Sequence, residues 1–227
     1  MKRLLILVLA LIGTTTTHAA PAFNPRLANY IETSRAEFEL IPAERQRELK
    51  KIALYARTQL GTSGAVNLTF ICTHNSRRSH MSQLWAQTAA SYFGIVGVST
   101  YSGGTEATAF NPRAVAAISR AGFDVEQQSE GANPLYAVSA GPNLPAMTAF
   151  SKRYQDPANP QENFCAVMTC SEADKNCPTV DGASFRVAIP YEDPKAFDGT
   201  PLEAVKYDER CRQISREMLW LFSQIGA

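Results

Sequence analysis

Cys72-Thr73-His74-Asn75-Ser76-Arg77-Arg78-Ser79 decides how this chain is read. A cysteine and an arginine stand at the two ends of a C-x5-R loop, and a serine follows the arginine directly. The apolar run Val66-Asn67-Leu68-Thr69-Phe70-Ile71 leads in, and a helix-like run from Ser79 to Phe93 leads out. A strand that ends in a short loop and then opens a helix is a cradle for a tetrahedral oxyanion. Its backbone N–H groups converge on one spot, and the helix dipole favours negative charge there. The same field favours a thiolate held at that spot, and the thiolate is the nucleophile. The loop is therefore expected both to bind an oxyanion and to attack it.

Within the loop, Cys72 is the expected nucleophile. Arg78 offers a planar fork that matches two oxygens of the anion. Ser79, at the helix entrance, is placed to donate to the Cys72 sulfur. Asn75 tolerates the left-handed backbone that a tight anion nest needs. Thr73, His74, Asn75, Ser76, Arg77 and Ser79 make up the expected oxyanion-binding set.

Outward from the loop, strand and helix patterns alternate. Strands are expected at Val66–Ile71, Ile95–Tyr101, Phe164–Thr169 and Phe185–Ile189. Helices are expected at Ser79–Phe93, from Asn111-Pro112-Arg113 to about Ala121, and from Pro201 to Ile225. Residues 133–160, rich in Pro, Asn and Gly, are read as a long irregular connection with a short helix near Pro145–Phe150. The alternation implies an α/β fold: a four-stranded parallel sheet flanked by helices, of flavodoxin-like type. In such sheets the site lies beyond the C-terminal ends of the strands. The Cys72 loop and the ends of the third and fourth strands share that rim.

Two further constellations end on the rim. Asp193-Pro194 follows the fourth strand, where a carboxyl group above the anion can protonate a leaving oxygen. Cys170-Ser171-Glu172-Ala173-Asp174-Lys175-Asn176-Cys177-Pro178 follows the third. Two thiols on a mobile polar segment beside a nucleophilic cysteine permit serial disulfide exchange. A static Cys170–Cys177 disulfide is the structural alternative, and an oxidising compartment favours it. Cys165 reads as a small buried hydrophobe and Cys211 has no assigned role. No cysteine–histidine spacing fits a zinc site, so neither metal nor cofactor is expected.

The 227 residues are 45% hydrophobic and 19% charged, with a formal net charge of +1. That balance gives no long-range field for nucleic acid or an anionic membrane, so any anion preference is local. Lys2 and Arg3, the short apolar run Leu4–Ile12 and the small residues around Ala19 read as a signal peptide over residues 1–19. The run is too short to span a bilayer, so no membrane association is expected after its removal. The mature protein is expected to be exported, periplasmic or secreted. Residues 20–64 are read as an N-terminal helical extension, with a helix from Pro42 to Leu60 and a weakly patterned stretch from Phe23 to Phe38. Residues 65–227 form the main domain.

Over residues 66–225 the chain resembles the low-molecular-weight protein tyrosine phosphatase family, and within it the thioredoxin-coupled arsenate reductases. Cys72–Ser79 is similar to the family loop C-T-G-N-S-C-R-S, with His74 and Arg77 in place of its Gly and second Cys. Tyr101-Ser102-Gly103-Gly104-Thr105 and Asn111-Pro112-Arg113-Ala114 look like the segment after the second strand. Thr169–Pro178 is similar to the reductases' T-L-C-S-D-A-D-N-N-C-P segment, and Asp193-Pro194 to the family's general-acid Asp-Pro. The resemblance implies a phosphotyrosine phosphatase I type fold and a cysteine-dependent oxidoreductase or hydrolase. As a reductase, Cys72 attacks arsenate, Cys170 attacks the adduct, and Cys177 closes a disulfide that a thioredoxin-like partner reduces. As a phosphatase, Cys72 forms a cysteinyl-phosphate with Asp193 as general acid. The implied partners are a small oxyanion or a phosphotyrosine protein. His74 is expected to point out of the cradle.

Overall fold

A computed structural model describes residues 22–226. The leader expected over residues 1–19 lies outside the described residues. In chain order the elements are α1 (Pro25–Ala36), α2 (Ala43–Ser63), β1 (Val66–Cys72), α3 (Arg78–Tyr92), β2 (Val98–Gly104), α4 (Pro112–Ala121), β3 (Asp124–Gln127), β4 (Tyr136–Ser139), β5 (Met147–Ala149), β6 (Phe164–Met168), α5 (Ser171–Asn176), β7 (Ala183–Ala188) and α6 (Glu203–Ser223). β2, β1, β6 and β7 form one parallel sheet in that order. This is the helix-flanked four-stranded parallel sheet that the alternation implies.

β1 is central and covered on both faces, which is why Val66, Leu68, Phe70, Ile71 and Cys72 are all buried. α3 lies between the sheet and α6, and all but a few of its residues are buried. α6 buries Tyr207, Cys211, Ile214, Met218 and Leu221, a stripe at three- and four-residue spacing. α1 and α2 precede β1 and pack on α6. Side chains alternate along β6: Cys165 and Val167 join the large core with these helices, whereas Phe164, Ala166 and Met168 face a small cluster. That cluster also holds Ile71, Cys72, Cys170 and Ala173.

The structure differs from the sequence expectation at four places. The stretch Phe23–Phe38 contains α1, with Leu27, Ile31 and Ser34 turned inward on one face. Residues 133–160 are not an irregular connection with a helix near Pro145–Phe150. β4 and β5 fall there and join β3 in a three-stranded antiparallel sheet. Strands of three or four residues are too short to show a period. β2 begins at Val98 rather than Ile95, because Gly94 and Gly97 take positive φ (65° and 79°) and delay the strand. The segment between Cys170 and Cys177 is not a mobile loop but the one-and-a-half-turn helix α5, with Cys170 and Cys177 as its caps.

Candidate active site

β1 delivers Cys72 to the C-terminal rim of the sheet, and the loop returns at Arg78 to start α3. The loop carbonyls are drawn outward. Thr105 N–H donates to the Cys72 carbonyl (3.2 Å), Glu106 N–H to Thr73 (2.8 Å) and Asn111 N–H to Ser76 (2.9 Å). The Ser151 and Thr108 hydroxyls both donate to the His74 carbonyl, at 3.0 and 3.2 Å. In a trans peptide the N–H points opposite to the C=O. The N–H groups of Thr73, His74, Asn75 and Arg77 therefore turn into the loop, as an anion nest requires. Gly104 makes the outer wall possible: a Cβ there would lie 2.7 Å from the Asn75 nitrogen and the Thr73 oxygen.

Asn75 is the keystone. It is fully buried with φ of 44°. Its Oδ1 accepts from the Lys152 backbone N–H at 2.9 Å, which fixes the amide's orientation. The Nδ2 end must then face Ser79 Oγ (2.9 Å) and His80 Nδ1 (3.2 Å). Since Nδ2 only donates, Ser79 accepts from it and keeps its own hydrogen for Cys72 Sγ, 3.1 Å away. The same logic puts the single proton of neutral His80 on Nε2. His80 stacks on Phe110 at 4.2 Å, and burial, then the nearby Lys152 charge, holds its pKa well below the ordinary imidazole value. Burial also pulls the Lys152 amine down to about 8, with Asp156 opposing. Nothing in the sequence marked Lys152, which lies in the stretch read as irregular. His80 carried only its place beside Ser79.

The mouth of the loop is held by three side chains. Arg78 Nη2 donates to Asp193 Oδ2 at 2.8 Å, and its Nη1 donates to the Tyr191 carbonyl at 2.8 Å. Arg77 donates through Nε to Asp193 Oδ1 (2.8 Å) and through Nη2 to Oδ2 (3.3 Å). Burial pushes the Asp193 carboxyl up, but the Arg78 charge, the Arg77 hydrogen bonds and charge, and the Lys195 N–H outweigh it and hold the carboxyl below its ordinary value. Cys72, His74, Ser76, Arg77, Arg78 and Asp193 enclose a cavity of about 10 Å³. That is room for about one water. His74 is half-exposed at the rim, its Nε2 3.6 Å from Glu106 Oε2.

Cys170 Sγ lies 3.4 Å from Thr73 Oγ1, so a second sulfur borders the cradle. Cys177 is at the far end of α5 and is partly exposed. All five cysteines are free thiols. Cys165 is fully buried, and burial pushes its thiol beyond the range of ordinary titration. Cys211 is also buried, and it accepts from Trp85 Nε1 at 3.3 Å, a partner its sequence context did not reveal. The structure thus brings Cys72–Ser79, Asp193 and Cys170 together, and Cys177 packs at the edge of the small cluster that holds Cys72 and Cys170. A larger cavity of about 300 Å³ between α4 and α6 contains no nucleophile. Among the described residues no group of three or more metal-ligating side chains assembles.

A strand–loop–helix cradle with cysteine, arginine and serine at these places defines a class, and the comparisons with known proteins agree with it. Residues 67–136 match the low molecular weight phosphotyrosine protein phosphatase model. Curated relatives bear the name arsenate reductase. An arsenate reductase of Bacillus licheniformis is 27% identical over 157 residues, covering 69% of this chain and 94% of that protein. An arsenate reductase 2 of Staphylococcus epidermidis is 29% identical over 139 residues, covering 60% and 85%. Among solved structures, a low molecular weight phosphotyrosine phosphatase from Vibrio cholerae O395 aligns at TM-score 0.47 and 12% identity, covering 70% of this chain and 95% of that one.

Proposed function

We propose that this protein is a cysteine-dependent oxyanion enzyme of the arsenate reductase type. The observation that carries this reading is the Cys170 sulfur beside Thr73, on the wall of the Cys72 cradle. The Cys72 thiolate, held by Ser79, attacks arsenic; an S–As bond forms and one As–O bond breaks with loss of water. Cys170 then attacks the Cys72 sulfur. A Cys72–Cys170 disulfide forms, and the S–As electron pair stays on arsenic, which leaves as arsenite. Cys177 next attacks Cys170, freeing Cys72, and an external thioredoxin-like dithiol reduces the Cys170–Cys177 bond.

The last exchange requires motion. The six residues of α5 lie between the two thiols, and the helical rise sets their Cα atoms about 10 Å apart, whereas a disulfide spans about 4.4–6.8 Å between Cα atoms. α5 must unwind for the relay to close. The test is arsenate-dependent oxidation of a dithiol by the reduced protein. Loss of turnover in both Cys72→Ser and Cys170→Ser is expected, and unchanged turnover in Cys170→Ser would remove the relay.

A second reading, phosphomonoester or phosphotyrosine hydrolysis, is favoured by Asp193 standing over the loop. It predicts aryl-phosphate hydrolysis that is lost in Cys72→Ser and insensitive to Cys170→Ala. Residues 1–19 acting as a cleaved leader, residues 20–64 as an extension and an exported location complete the proposal. Edman sequencing of the protein from its own compartment checks them: a new N-terminus at Ala20 is expected, and an intact Met1 would count against export by this route.

A further inference from the structure

Two guanidinium groups share one carboxylate at the loop mouth, and they are not equivalent. Arg78 spans Asp193 and the Tyr191 carbonyl, with one hydrogen bond to each. The Arg78 fork matches two oxygens of an oxyanion over Cys72, and turning to them would take it from Asp193. Arg77 holds both Asp193 oxygens, and only 9% of its side chain is exposed. It remains as Asp193's partner when Arg78 turns to the anion.

We infer that Arg77 is a specificity-determining positioning residue, which keeps Asp193 a carboxylate in the loaded site and so favours oxyanions that carry their own proton over phosphoesters. This rests on the proposed role of Cys72 as nucleophile. The proton balance makes the distinction. Dihydrogen arsenate and the Cys72 thiolate give a cysteinyl-arsenate dianion and water, because one arsenate hydroxyl leaves with the proton of the other. A phosphoester dianion and the same thiolate give a cysteinyl-phosphate and an alcohol only if one further proton reaches the ester oxygen. Asp193 is the acid placed to supply it, and as a carboxylate it has none to give.

The groups facing Asp193 all bear on this balance. Arg77 and Arg78 face it from the loop, and Cys72 and His74 lie across the small cavity. The Lys195 N–H donates to Oδ1 at 3.1 Å, and Tyr207 interacts with it from α6. Behind them, Asp198 bears on Arg77 and Arg210 bears on Arg78. Arg77 is the group whose removal takes positive charge and two hydrogen bonds from Asp193 while leaving Arg78 for the anion.

The test compares wild type, Arg77→Gln and Arg77→Lys in two measurements. In a carbon-13 NMR titration of Asp193, Arg77→Gln is expected to titrate at higher pH and Arg77→Lys close to wild type. In kinetics at pH 6, hydrolysis of an alkyl phosphate relative to arsenate turnover is expected to rise about tenfold in Arg77→Gln, a part of the roughly hundredfold or more that a general acid contributes. The rise with p-nitrophenyl phosphate should be smaller, because its leaving group departs readily without an acid. An unmoved Asp193 titration overturns the inference, as does an equal change for all three substrates. Failure of the underlying reading shows separately, as turnover that survives Cys72→Ser, and the NMR titration still decides what Arg77 does.

Discussion

The two sulfurs that border the cradle are held in opposite ways. Cys72 sits at the end of a central strand, and the loop that follows it is fixed from behind by Asn75, Ser79 and His80. Cys170 sits on the thin side of the sheet, where one short helix and the Tyr154 segment cover a small apolar cluster. α5 is fastened largely by one side chain: Arg186 donates to the Asp174 carboxylate (2.6 Å) and to the Asp174 and Cys177 carbonyls (2.8 and 3.1 Å). A nucleophile needs preset geometry, and a thiol that must travel needs a segment that opens at low cost. On the proposed relay, this is the arrangement that a fixed nucleophile and a travelling thiol would need.

The largest effect is expected from breaking the fixed side. Asn75→Ala leaves the buried Lys152 N–H without its acceptor, removes the donor to Ser79 and His80, and puts a Cβ-bearing residue without a polar side chain at φ of 44°. The loss is about 2–5 kcal/mol of stability by adding an orphaned donor to the left-handed backbone cost, read in urea unfolding. Asn75→Gly should recover about 1 kcal/mol of it. Recovery to wild type would mean that the side-chain network is idle.

Ser79→Ala tests the same side at the sulfur itself. It removes the hydroxyl 3.1 Å from Cys72 and leaves Asn75 bonded to His80. Alkylation of Cys72 by iodoacetamide at neutral pH should slow by about tenfold, the equivalent of one net hydrogen bond of about 1.4 kcal/mol. An unchanged rate would show that the sulfur does not depend on Ser79.

The α5 side is sharpened by Arg186→Gln. Removing a charge-assisted bond of about 1.5–3 kcal/mol from α5 should speed hydrogen exchange of the α5 amides by about tenfold or more, with little change at β1. Equal protection in both proteins would mean that packing of Ala173 and Cys170, not Arg186, holds the helix.

The same contrast explains what the sequence disclosed. The sheet was legible because β1 is mostly apolar and β6 wholly so, each next to turn signals. The front of the site was legible because loop, fork and acid each carry a residue type that chemistry demands. The back of the site was not. Lys152 meets Asn75 through a backbone N–H, which any residue offers, and it arrives from strands too short to show a period. α5 was read as a loop because Ser171–Asn176 is polar throughout, with Ala173 its one buried residue. Arg77 looked like added charge near the anion; that its guanidinium lies on Asp193 depends on where residues 116 positions away return.

His80 reports on the fixed side through pH. Its folded pKa lies well below the ordinary value, because burial first and Lys152 second disfavour the imidazolium. Above about pH 6.5 the ring is neutral in both folded and unfolded chains and contributes nothing to the pH dependence. Below that, the unfolded ring binds a proton that the folded ring refuses, so stability falls by about 1.4 kcal/mol per pH unit for this one group. The Asp193 carboxyl, depressed in the fold, adds its own loss only at lower pH, as acid reaches the carboxylate range. His80→Phe should therefore flatten the slope between pH 6.5 and about 5, while lowering stability at neutral pH by the loss of its bond to Asn75. Parallel curves for the two proteins would mean that the ring takes up its proton inside the folded core, and that the wall behind the loop is looser than its hydrogen bonds imply.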